Sequence, residues 1–387
     1  MAQPATAVTG PSWNPLRMSG AGLPIPVLLA AKLIALALLL TNHVRLLPDP
    51  FPPLPAGLDH LVPGIVFQRL LQTVFLLSAA ALLFNRAARA SCLLLGGTML
   101  SGVLSSPAYF GNDRIFCALM LLLAGLPAGG RQPYFMRLLV AIAYFGAGLD
   151  GALNWDRRGG WFFEAGAVEA LAPAVPMLLW WTAIAAELGT SILLVVPAFE
   201  LWGVWVSVCL QSGFLLFTPE TFTMFFCGMQ AAMFSFLRWP SKPLLVIFDG
   251  DCGFCDWCRR QLRRVDFEGV FEWSPYQAGR GSEYGISGEH ASRRLQLVTS
   301  GGRVIEGFHA IRRMLIYMPV VWFALFAVIA LAPVAPPWRG LIALSALFFF
   351  SPLMNPIGVA AYDLAARNRH RLFKGRSCKL PGGVTHG

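Results

Sequence analysis

The chain of 387 residues is 56% hydrophobic and 13% charged, whereas a soluble domain carries roughly 25% charged residues. That balance excludes a wholly water-soluble protein and leaves one with much of its length in a lipid bilayer. The net charge of +10 would suit a nucleic-acid binder. Much of the Lys and Arg, however, lies after Trp239 or in short loops between apolar segments, so a phospholipid surface accounts for it without nucleic acid.

Apolar segments read as spans at Ile25 to Leu47, Leu61 to Phe84, Ser91 to Ala108, Ile115 to Pro127, Met136 to Gly151, Val175 to Pro197, Trp202 to Thr218 and Thr221 to Leu237. Several are shorter than the ~20 residues that cross a bilayer. Arg17, Arg86, Arg89, Arg131, Arg137, Arg238 and Lys242 flank one side, and Arg45, Arg114, Arg157 and Arg158 the other. The excess of positive charge predicts both termini in the cytoplasm, and the compartment expected is a bacterial inner (cytoplasmic) membrane. The tail, residues 1–23, carries only Arg17 and runs into a full span, so no cleaved signal peptide is expected.

Ionisable groups inside spans cost on the order of a few kcal/mol each and are functional suspects. Glu187, in WWTAIAAELGTS, is the clearest. It reads either as a carboxyl bonded to a neighbouring helix or as a proton or quinone site. Lys32 and Arg69 lie near span ends and are expected to snorkel; His43 reads as interfacial.

The texture changes at Arg238-Trp-Pro-Ser-Lys-Pro243, a basic linker that two prolines keep from being helical. This divides the chain into a helical membrane domain over 24–240 and a second domain over 241–387. Leu244 to Phe248 is an apolar run of strand length closed by Asp-Gly. Cys252 to Val265 has helical periodicity, with Arg259, Arg260, Arg263 and Arg264 on a basic face. Phe271-Glu-Trp-Ser reads as a second strand, and Leu295 to Thr299 with Val304-Ile305 reads as a hairpin turning at Ser300-Gly-Gly-Arg303. A helix begins in Ala310 to Tyr317. Strand, helix, strand, hairpin, helix is the order of a small α/β domain. Pro319 to Ala335 and Leu341 to Pro352 are apolar but short, and are expected to pack on this domain or lie at the membrane face. The closing segment from Tyr362 reads as a basic amphipathic helix suited to anionic headgroups.

Eight cysteines fall into two groups. Cys92, Cys117, Cys209 and Cys227 are isolated in apolar segments and read as packing residues. Cys252, Cys255, Cys258 and Cys378 lie in the polar C-terminal part. In LLVIFDGDCGFCDWCRR, Leu244 to Arg260, Cys252 stands where a helix begins, and unpaired N–H groups there stabilise a thiolate. Cys255 is one turn on, in reach of a mixed disulfide on Cys252, which suits thiol–disulfide exchange without a cofactor. Asp249 and Asp251 flank the pair, one as a proton acceptor for Cys255 or Asp251 as a helix cap. Three rivals stay open: an iron–sulfur or zinc site with Cys258 and Cys378, an acidic phosphatase-like loop, and cysteines merely packed at a helix start.

VIFDGDCGFC, Val246 to Cys255, resembles the signature of the DCC (DUF393) family of thiol-disulfide oxidoreductases. GFHAIRRML, Gly307 to Leu315, and YDLAARNRHRLF, Tyr362 to Phe373, followed by Cys378, match its later blocks. The resemblance implies a thioredoxin-like fold, Cys252 and Cys255 as redox pair, Asp249 and Asp251 as motif residues, no metal, and a protein or small-molecule dithiol or disulfide as partner. AIAYFGAGLDGALNW, Ala141 to Trp155, followed by Arg157 to Phe162, resembles the horizontally transferred transmembrane (HTTM) family, relatives of vitamin K-dependent γ-carboxylase. Where the carboxylase has lysines this chain has Asp150 and Gly151, so that activity is not carried over. The second resemblance implies a helical membrane module with a lipid or quinone pocket. A lipid- or quinone-binding or transport protein, whose cysteines sense redox state or hold a metal, is the alternative function.

Overall fold

A computed structural model describes residues 13–43, 64–105, 109–127, 129–154, 174–217, 223–331 and 336–372. Contacts divide the chain into Met1–Arg238 with Trp322–Leu347, and Trp239–Val321 with Phe348–Gly387.

Each apolar segment of the first unit forms a helix: α1 (Ile25–Leu40), α2 (Gly64–Leu83), α3 (Ala88–Ser105), α4 (Asn112–Gly125), α5 (Gln132–Leu153), α6 (Ala174–Val195), α7 (Glu200–Phe217) and α8 (Thr223–Met233). Among the described residues four stretches are long and apolar enough to cross a membrane, namely Ile65–Leu83, Ala88–Ser105, Gln132–Leu153 and Met177–Val195. With that content the unit has the make-up of a multi-pass membrane protein. Large apolar side chains such as Leu77, Ile142, Leu178 and Ile192 remain exposed on these helices, as lipid-facing surfaces require.

Helix α1 is apolar on every side and buried over nearly its whole length, so it lies within the bundle. Lys32 does not snorkel. It is fully buried, and its Nζ donates to the carbonyls of Pro15 at 2.6 Å and Arg17 at 3.2 Å. Asn85 donates to Asn14 and Arg17 carbonyls as well, so two buried donors hold the segment before α1. Arg69 is exposed and bonds Gln72. His43 is buried beside Thr41 and 3.5 Å from Asp113. Asp150 accepts from Asn154 at 2.8 Å, a local tie at the end of α5. Trp155 to Phe162 lie outside the described residues.

The second unit carries β1 (Leu244–Phe248), α9 (Gly253–Val265), β2 (Phe271–Pro275), α10 (Gly288–Arg293), β3 (Gln296–Val298), β4 (Val304–Glu306) and α11 (Gly307–Ile316). Its sheet order is β2-β1-β3-β4. Strand β1 pairs parallel with β2 and antiparallel with β3, and β3 pairs antiparallel with β4. A parallel neighbour needs a crossover, and α9 supplies it. All five residues of β1 are buried, which its unbroken apolar sequence requires of a central strand covered on both faces. Parallel unit, crossover helix and antiparallel hairpin in this order make a thioredoxin-like fold.

Two parts of the tail differ from expectation. Helices α12 (Pro319–Leu331) and α13 (Pro336–Phe350) follow α11, yet Trp322–Leu347 groups with the helical unit. Buried Arg339 donates to Thr223 at the start of α8 at 2.9 Å, and Trp322 meets the Phe234 ring edge-on. An apolar helix long enough to hide a whole face finds more apolar surface in a helix bundle than on a small four-stranded sheet.

The closing helix, α14 (Asn355–Leu372), is not solely a surface helix. Tyr362 accepts the Leu295 amide at 2.9 Å, Asp363 pairs with Arg294 at 2.7 Å, and Arg312 donates to Asn355 at 2.9 Å. Gly358 permits the contact with α11, since a side chain there would overlap the Phe308 ring. The other face keeps Leu364 and Arg367 exposed. The sequence shows the charges of this helix, but not which face the domain covers.

Candidate redox site

Strand β1 ends at Phe248, and the next residues turn sharply into α9. Cys252 N–H reaches back to the Asp249 carbonyl at 3.3 Å. Gly250 lets the turn lie against β2: a Cβ there would stand 2.9 Å from the Pro275 Cβ, while its amide donates to Gln277 Oε1 at 3.2 Å. The cap of α9 is Cys252, not Asp251. Cys252 has extended backbone, φ −91° and ψ 112°, and its Sγ accepts the Cys255 N–H at 3.4 Å. Asp251 stands one residue too early and is exposed, its own amide donating to Asp249 Oδ1 at 3.1 Å. A sulfur therefore sits where an oxygen normally caps a helix, facing the positive end of the macrodipole.

Asp249 is buried, and its carboxylate is fully engaged. Oδ1 accepts from the Asp251 amide and from Gln277 Nε2 at 3.2 Å, and Oδ2 lies 3.5 Å from Arg369 Nη2. Arg369 comes from α14. Its Nη2 also donates to the Ser292 carbonyl at 2.6 Å, and its Nη1 stands 3.8 Å from Cys255 Sγ. One guanidinium thus ties together the turn after β1, the end of α10 and the second cysteine.

The electrostatics separate the sulfurs. Cys255 is pushed far above the ordinary thiol range, first by its hydrogen bond with Cys252 and then by burial, with the charge of Cys252 adding to both; Arg369 pulls it down and Asp249 pushes it up. The Cys255 thiol therefore holds its proton firmly while Cys252 carries charge beside it. Cys258 is pushed up to about 11 by burial and then by Cys252. Exposure runs the other way: Cys252 is fully buried, whereas Cys255 is partly open. Attack on a substrate needs an accessible Cys252, and in this structure that sulfur is covered.

Among the described residues no three Cys, His, Asp or Glu side chains converge as metal ligands, and Cys252, Cys255 and Cys258 do not form such a group. Cys378 lies outside the described residues.

Residues 246–339 match the DCC1-like thiol-disulfide oxidoreductase family. The match covers the strand, the cysteine turn and the sheet of the C-terminal unit, so this stretch is a DCC1-like domain. No curated protein and no solved structure matches the chain. The matched stretch ends at 339, so Arg369 and Tyr362 lie beyond it.

The structure brings Cys252, Cys255 and Asp249 together and leaves Asp251 at the rim. Arg369, Gln277 and the Ser292 carbonyl also belong to the site, and residue-by-residue reading did not find them. The only signal for Arg369 was its place in the block YDLAARNRHRLF, which marks the segment but assigns the arginine no partner.

Proposed function

We propose that the chain is a membrane-anchored thiol–disulfide oxidoreductase whose redox pair is Cys252 and Cys255. The observation that carries this reading is the Cys255 amide on Cys252 Sγ at 3.4 Å, at the start of the helix that follows β1. It makes Cys252 the sulfur best able to hold a negative charge and sets Cys255 one turn behind it.

The reaction is an exchange of sulfur bonds. The Cys252 thiolate attacks one sulfur of a substrate disulfide, forming a mixed disulfide and expelling the first substrate thiolate. Cys255 then attacks Cys252 Sγ, the second substrate sulfur leaves as a thiol with the Cys255 proton, and the Cys252–Cys255 disulfide remains. The substrate gains two electrons and the pair loses them; a dithiol of either protein or small-molecule origin returns them. No cofactor takes part. Because Cys252 is buried, the first attack follows an opening of the site. Asp249 serves here as the anchor for Arg369 rather than as a free base, its oxygens being already engaged.

The basic flanks support a bacterial inner membrane with the DCC1-like domain in the cytoplasm. The HTTM-like motif over Ala141 to Trp155 supports a helical module in contact with lipid. The test is exchange by the purified full-length protein with a chromogenic aryl disulfide. Turnover that disappears on Cys252→Ser supports the proposal, and turnover that survives the substitution refutes it.

A further inference from the structure

The resolving step poses an electrostatic problem. Cys255 must lose a proton in a pocket where Asp249, buried and negative, stands nearby. Once Cys252 is tied up in a mixed disulfide its charge is gone, but burial and Asp249 still oppose a second thiolate. Among the described residues one cation faces this sulfur: Arg369, at 3.8 Å from Cys255 Sγ. It is itself held in place from two directions, by the Ser292 carbonyl at 2.6 Å and by Asp249 at 3.5 Å. A guanidinium fixed by a carboxylate and a carbonyl cannot swing away cheaply, so its charge is preorganised for the sulfur beside it.

We propose that Arg369 is the charge partner of Cys255 in the resolving step, holding that sulfur as a thiolate while it attacks the mixed disulfide on Cys252. This assignment rests on the exchange reading above. Electrons and atoms balance: the Cys255–Cys252 bond forms, the Cys252–substrate bond breaks, and the Cys255 proton ends on the departing substrate thiol. The guanidinium stays protonated throughout. Other groups around the sulfur are Asp249 from the turn after β1, Cys252 at the cap of α9, and Tyr362 on α14, with Arg294 beyond Tyr362. Among the described residues only Arg369 brings a positive charge against Cys255. The residue lies beyond the stretch that matches the family, so the C-terminal helix supplies an ionic part of the site that the cysteine motif lacks.

The experiment uses full-length protein in detergent and a chromogenic aryl disulfide in which the first attack and the resolving step each release one aryl thiolate. In Arg369→Gln the first release keeps its rate within a few-fold, while the second slows by about tenfold or more, as the loss of a neighbouring cation implies. The second phase regains wild-type rate as pH rises, because hydroxide then supplies the thiolate that arginine no longer stabilises. Arg369→Lys keeps the charge without the fork and falls between. Equal slowing of both phases, or a second phase unchanged in Arg369→Gln, overturns the proposal. Its failure is separable from failure of the exchange reading by alkylating Cys255 in Cys252→Ala protein, which needs no exchange. There the pH midpoint for alkylation moves up by about one unit or more in Arg369→Gln; an unmoved midpoint overturns the assignment even if exchange is robust.

Discussion

The Leu295 amide donates to the Tyr362 hydroxyl at 2.9 Å across 67 residues of chain. Leu295 leads into β3, where the sheet of the DCC1-like domain passes the redox turn, and Tyr362 belongs to the helix that carries Arg369. This bond is thus one of the ties that fix the arginine relative to the cysteines. Tyr362→Phe leaves the half-buried amide without this acceptor, which costs about 1 kcal/mol. The expected result is a lower thermal midpoint for the C-terminal domain in detergent-solubilised protein. A midpoint equal to wild type would show that α14 docks without this bond.

Gly358 and Phe308 set how closely α14 lies on α11. A Cβ at 358 overlaps the ring, so Gly358→Ala should destabilise the domain by about 1–3 kcal/mol through overpacking. Combining it with Phe308→Leu should recover part of the loss, a coupling that a double-mutant cycle reads directly. Additive losses in unfolding measurements would contradict the close contact.

Cys258 is pushed up to about 11 and so stays a neutral, poorly reactive thiol near neutral pH. Cys258→Ser is expected to keep exchange activity within about twofold, and Cys258 to be alkylated slowly in the native reduced protein. Loss of activity by a hundredfold would instead make it part of the couple.

Raised thiol and phenol groups also set a pH dependence of stability. Cys258 rises from 9.0 to about 11 and Tyr362 from 10.0 to about 12, and Cys255 rises as well. The unfolded chain releases these protons first as pH increases. Their contribution is therefore complete below about 9 and lost as pH climbs through about 11 to 12. Unfolding midpoints of the reduced protein should fall across that window, and a flat profile there would contradict the buried, protonated placement.

Much of this domain was legible because its signals are local. Leu244 to Phe248 is an unbroken apolar run, Asp249-Gly250 is a turn, and the hairpin announces itself through Gly301-Gly302; short-range pattern decides each of them. The cysteine pair was legible for the same reason. Arg369 was not, because its contact with Cys255 spans 114 residues and nothing in a basic helix says which charge turns inward. The cap moved from Asp251 to Cys252 for a subtler reason: aspartate is the better capping residue, but the turn from Asp249 delivers the sulfur to the capping position. For Pro319 to Pro352 the sequence leaves the packing partner open, since segments adjacent to a domain in sequence need not share its core.

The central claim is that Cys252 and Cys255 interconvert as one two-electron couple. It is tested most directly by equilibrating the full-length protein in thiol–disulfide buffers of graded potential, alkylating the free thiols and mapping the linked peptides by mass spectrometry. The expected result is a single two-electron transition in which a Cys252–Cys255 crosslink appears while Cys258 stays free. A transition lacking that crosslink, or one that persists unchanged in Cys252→Ser protein, would contradict the account.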